Sequence, residues 1–63
     1  MRANEGIAIP DALDFGGLAG LSSEMVERLS AARPATMGAA ERIRGITPAA
    51  LATILVHAKR MAA

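Results

Sequence analysis

The side chains with the most chemistry in this chain are its cations, and they are unevenly placed. Residues 33–63 carry Arg33, Arg42, Arg44, Lys59 and Arg60 against Glu41 alone, a net charge of +4. Residues 1–32 carry Arg2 and Arg28 against Glu5, Asp11, Asp14, Glu24 and Glu27, a net charge of −3. The sum over the whole chain is only +1. A basic half on a nearly neutral molecule points to one surface that faces an anion. Arginine suits phosphate because its fork of N–H donors pairs with two oxygens at once, and such contacts set affinity rather than sequence choice. The competing reading is that these cations are solvated helix faces and favourable charges at helix C-termini.

Other chemistries find little to work with. There is no cysteine, which removes disulfides and thiolate metal sites. His57 is the single histidine and has no second strong ligand near it in sequence, so a structural zinc site is not expected. The carboxylates Glu24, Glu27 and Glu41 show no pairing suited to general acid–base work. Gly16, Gly17 and Gly20 follow no strand and open no βαβ unit, so they are not a dinucleotide fingerprint. The uncharged run Ile46–Ala58 is too short and interrupted to cross a bilayer, and Glu5 close behind Arg2 argues against a secretory signal. The missing cysteines fit a cytoplasmic protein.

The elements that must position the cations read as helices. The chain has 63 residues, one domain at most, and a domain this small has a thin stability margin. It is 52% hydrophobic with Phe15 as its only aromatic, and alanine, leucine, isoleucine and methionine supply most of the rest. Alanine, leucine and methionine favour helix, and the strand-favouring types are few and scattered. Residues 1–20 read as an extended lead-in with Ile7, Ile9, Leu13, Phe15 and Leu18 as apolar anchors and a short turn at Asp11–Leu13. A helical domain follows from 21 to 63. Ser22 caps its first helix, Leu21 and Val26 are placed as a hydrophobic staple, Arg33 ends it and Pro34 stops it. Glu24 and Arg28, four apart, form a solvent-side pair.

The second helix is expected over Thr36–Arg44, with Met37, Ala40 and Ile43 inward. Gly38 within it signals a close neighbouring backbone, and Gly45 suits a left-handed cap. The third helix starts at the cap Thr47 with Pro48 in the first helical position. Ala50, Leu51, Ile54, Leu55, Ala58 and Met61 form its stripe, and Ala49, Ala52 and Val56 make most of the other side apolar. Two short helices cannot cover such a helix, so part of it should dock outside the chain. The fold class is therefore all-α: a lead-in and three helices, the last two paired like a helix-turn-helix.

That outline raises a DNA-reading alternative. A recognition helix needs Arg, Asn, Gln or Ser near its N-terminus to reach base edges, and Thr47, Pro48, Ala49 and Ala50 are poor readers. The Gly-Ile-Thr-Pro turn also resembles a helix-hairpin-helix, but Thr47 stands where that motif needs a second glycine.

A closer resemblance covers roughly residues 7–60. Its markers are Ile9–Pro10, Asp14–Phe15, Gly20-Leu21-Ser22 with Glu24, RPATMG at Arg33–Gly38 and AERIRGITPAAL at Ala40–Leu51. In order and spacing they resemble the extreme C-terminal domain of the GidA/MnmG family of tRNA wobble-uridine modification enzymes. The resemblance implies a parent enzyme that binds FAD in an N-terminal Rossmann-type domain and uses NADH, with its catalytic cysteines elsewhere. It implies a cytoplasmic homodimer that acts with the GTPase MnmE, and a C-terminal domain that contacts tRNA near the anticodon stem and docks MnmE. This domain would hold no catalytic or cofactor-binding residue and no metal.

The chain departs from the family at Ala39, where a glutamine could have closed a capping box with Thr36, at Glu41 in place of serine, and at Phe15 in place of tyrosine. Arg33, Arg42, Arg44, His57, Lys59 and Arg60 are the expected tRNA or partner contacts. With Phe15 expected in the core, no aromatic remains for base stacking, so the grip should be on RNA backbone. Two uses within the fold compete with this: an ion pair of Arg42 with Asp11 or Asp14, and an inert, half-exposed His57. Two other function classes stand beside the RNA reading, a purely structural dock for MnmE and a free-standing DNA-binding regulator.

Overall fold

A computed structural model describes residues 5–62 of the chain. The first four residues of the expected lead-in, Arg2 of the charge tally among them, and Ala63 lie outside that description. The described chain has three α-helices: α1 over Ser23–Ala32, α2 over Met37–Glu41 and α3 over Pro48–Ala62. A single 3-10 turn, Phe15–Gly17, precedes them. No strand occurs among the described residues, as the alanine-rich composition predicts.

Each helix starts where its sequence signal stands. The Ser22 hydroxyl accepts from the Met25 amide at 3.1 Å. Thr36 Oγ1 accepts from Ala39 at 3.2 Å, and Thr47 Oγ1 accepts from Ala50 at 3.1 Å. These caps satisfy first-turn amides that have no partner inside the helix. The ends are less regular. α1 stops at Arg33, which adopts a left-handed φ of 48° and donates its amide to Leu29 O. Arginine bears a steric cost there that glycine does not.

The second helix is shorter than its expected span of Thr36–Arg44. It ends at Glu41; the amide of Arg42 then turns to the Ala39 and Ala40 carbonyls, and residues 42–45 form a turn. Gly45 at φ +91° reverses the chain toward α3. With only five residues, α2 has too few internal bonds to propagate past the point where Ala40 and Met37 are buried.

The lead-in is pinned by backbone. Ile9 N donates to Ala35 O at 2.8 Å, Met37 N to Ile7 O at 2.9 Å and Gly38 N to Glu5 O at 3.0 Å. The first two make an isolated antiparallel bridge, Ala8 to Thr36, and with the third they close the N-terminal segment onto the start of α2. This is what lays Ile9, Phe15 and Leu18 into the core beside Leu29, Met37, Ala40 and Ile54. Leu29, Ala40 and Ile54 are each 0% exposed, one from each helix. No polar or charged side chain is buried among the described residues. The core is therefore wholly apolar, and any polar chemistry must lie on the surface.

Candidate functional site

The sequence-predicted contact residues separate into three groups along the fold. Arg33 caps α1. Arg42 and Arg44 sit in the turn between α2 and α3. Lys59 and Arg60 lie in the last turn of α3, with His57 one turn before its end. Pro48 and Lys59 are eleven positions apart on one helix, which separates the last two groups by about 16 Å along its axis. All five cations are exposed, and His57 is half-buried.

Ion pairing sorts them further. Arg33 Nη2 donates to Asp11 Oδ1 at 2.7 Å and to the Asp11 carbonyl at 3.3 Å, so this arginine ties the end of α1 to the lead-in. The other carboxylate considered for Arg42, Asp14, instead accepts from the Gly16 amide at 3.0 Å and caps the 3-10 turn. The expected alternative of Arg42 paired with Asp11 or Asp14 is thus not what forms. Arg33 reaches Asp11 because the bond from Ile9 N to Ala35 O holds the chain just past α1 against the lead-in. Arg42, Arg44, Lys59 and Arg60 have no ion pair with any described residue.

One cation that sequence reasoning assigned to solvent has a second role. Arg28 pairs with Glu24 at 2.8 Å as its spacing predicts. Its other terminal nitrogen, Nη1, donates to the carbonyl oxygen of Arg44 at 3.1 Å, sixteen residues away. The i, i+4 pattern predicts the first bond; nothing in the local sequence announces the second.

Apolar surface remains beside the cations. Val56 is 47% exposed and Met61 46% exposed. An open groove of about 250 Å³ runs between α2 and α3, with Met37, Leu51 and Leu55 in its wall and Glu5 and Glu41 beside them. No cluster of three metal-ligating side chains and no helix long and apolar enough to cross a membrane occur among the described residues.

Fold and surface together define a small helical bundle: among the described residues, an apolar core, no buried titratable group, and cations without an ion pair around a helical pair. The model of the family "tRNA modifying enzyme MnmG/GidA C-terminal helical bundle" matches residues 1–63, and the chain belongs to that family. It is 52% identical over 61 residues to the tRNA uridine 5-carboxymethylaminomethyl modification enzyme MnmG of Zymomonas mobilis. It is 46% identical over 61 residues to the enzyme of the same name from Sulfurihydrogenibium. Each alignment covers 97% of this chain and 10% of the relative. The fold is similar to that of a crystal structure of Aquifex aeolicus GidA, with a TM-score of 0.83 and 40% identity over 92% of this chain and 10% of that one. The chain thus spans about a tenth of the length of the relatives it matches.

Proposed function

We propose that this bundle is the accessory domain through which a tRNA wobble-uridine modification enzyme holds its RNA and its partner. The parent would be a homodimeric, cytoplasmic FAD- and NADH-dependent enzyme acting with the GTPase MnmE, and the bundle itself would take no part in the chemistry. The observation that carries the RNA reading is the sorting of the cations. Arg28 and Arg33 are used inside the fold, whereas Arg42, Arg44, Lys59 and Arg60 face solvent without a carboxylate among the described residues. Unpaired exposed cations at both ends of α3 suit two stretches of phosphate backbone on a folded stem, where recognition rests on shape and charge. Arg33 and His57 are secondary contacts in this reading, the first because Asp11 holds it and the second because it is half-buried.

A tRNA anticodon stem-loop titrated at several salt concentrations tests this. Phosphate contact predicts a log–log slope of roughly −0.7 to −0.9 for each phosphate neutralised. The triple variant Arg42→Ala, Arg44→Ala, Lys59→Ala should bind more weakly with a shallower slope. Unchanged RNA binding would favour the second reading, a dock for MnmE without RNA contact, which the exposed Val56 and Met61 support. Tight, sequence-dependent binding to duplex DNA would overturn both.

A further inference from the structure

Arg28 stands at a junction that its place in α1 does not suggest. Glu24 Oε2, one turn earlier, accepts from Nη2 at 2.8 Å and holds one edge of the guanidinium. Nη1 then reaches across to the Arg44 carbonyl at 3.1 Å. The next residue, Gly45, turns the chain at φ +91°, and a Cβ built on it would lie 3.7 Å from Arg28 Nε and 3.8 Å from Cζ. The side chain therefore lies across the bare face of Gly45 while donating to the carbonyl before it. The turn it holds spans residues 42–45, outside any helix, and carries Arg42 and Arg44.

The two acceptors need one planar group with separate donors, and the same plane lies against Gly45. A guanidinium has them in a rigid fork; an ammonium is a point donor on a flexible stem. The turn has little else to hold it. At its start Arg42 N donates to Ala39 O at 3.2 Å and Ile43 N to Ala40 O at 3.1 Å, and Ile43 and Ile46 are half-buried at its edges. Among the hydrogen bonds of the described residues, the one from Arg28 is what joins Arg44 to another element. Resting on the RNA reading above, we propose that Arg28 is a positioning residue: it clamps the α2–α3 turn so that Arg42 and Arg44 are held ready for a phosphate backbone, without touching the RNA itself.

The expectation follows from ordering. A turn that is fixed before binding need not be fixed by binding, so its release weakens affinity without removing a phosphate contact. The test uses the full chain with Arg28→Gln and Arg28→Lys, the second keeping the charge and most of the stem. Backbone relaxation at Arg44, Gly45 and Ile46 reads the clamp directly. Order parameters should fall from about 0.85 toward about 0.6 in both variants. Stem-loop affinity should fall about three- to tenfold with the salt slope unchanged. In a chain already carrying Arg42→Ala and Arg44→Ala, Arg28→Gln should change affinity no further, a result that loss of stability alone would not produce.

Unaltered order parameters overturn the clamp. An Arg28→Lys chain that behaves as wild type overturns the fork. An equal loss in the double-alanine background overturns the indirect role, because Arg28 would then contact RNA. If the wild-type chain binds no stem-loop, the RNA reading fails and takes with it Arg28's role in RNA binding, while the relaxation data still decide whether Arg28 holds the turn.

Discussion

The carbonyl oxygen of Glu5 accepts from the Gly38 amide at 3.0 Å and lies only 3.2 Å from where a Cβ on Gly38 would stand. Two segments more than thirty residues apart thus meet backbone to backbone, and a Cβ at 38 would press on the Glu5 carbonyl more closely than ordinary van der Waals contact. Gly38 lies inside α2, where glycine costs about 1 kcal/mol relative to alanine. The close approach explains why it is there.

Gly38→Ala should therefore destabilise the chain despite its better helix propensity. Crowding a close-packed contact costs typically 1–3 kcal/mol, against the gain of about 1 from propensity, so a net loss of about 1 kcal/mol is expected. Urea denaturation measures it, and hydrogen exchange at the amides of positions 37 and 38 should quicken as the lead-in loosens. A more stable variant with unchanged exchange would show that Glu5 yields freely.

Leu29 carries more of the core than its place on a ten-residue helix suggests. It is fully buried, and the core it belongs to takes Ala40 from α2 and Ile54 from α3. Leu29→Ala should cost about 2–5 kcal/mol. In a domain with so little core, that is enough to leave a visible unfolded fraction at 25 °C by circular dichroism. Ile54→Val, which removes one methylene, should cost only about 0.5–1.5 kcal/mol and stay folded.

The Arg33–Asp11 pair should matter little to stability. Its side chains are 56% and 95% exposed, so solvent screens the attraction. Asp11→Asn is expected to change unfolding free energy by less than about 1 kcal/mol. Since it frees a cation, stem-loop affinity should hold or rise at low salt. A fall in affinity would place Asp11 itself among the groups that meet the RNA.

Val56 distinguishes docking from folding. It is large, apolar and 47% exposed on α3, away from the buried line of Ala50, Ile54 and Ala58. Val56→Ser should alter stability by no more than about 0.5 kcal/mol. If the bundle docks MnmE through this face, affinity for MnmE measured by calorimetry should drop clearly while stem-loop binding stays as in wild type. Equal affinity for MnmE would remove Val56 from that interface.

Sequence by itself determined the helical class, the starts of all three helices and most of the core. These follow from local rules: hydroxyl caps at Ser22, Thr36 and Thr47, proline at 48, and apolar spacing that returns Leu29, Ile54 and Ala58 to one side. Gly38 was legible as a close approach and Gly45 as a left-handed position, because few backbone conformations demand glycine, but the helix cap expected at Gly45 falls at Arg42 and Gly45 turns the chain beyond it. Tertiary structure alone decided who partners whom. The bridge from Ala8 to Thr36, the choice of Arg33 rather than Arg42 for Asp11, the early end of α2 and the reach of Arg28 to Arg44 all join residues distant in sequence. Such pairings depend on where whole segments lie once the apolar faces have closed. A helix cap has its partner within three residues, whereas an arginine on a surface can choose among every acceptor that packing brings within its length.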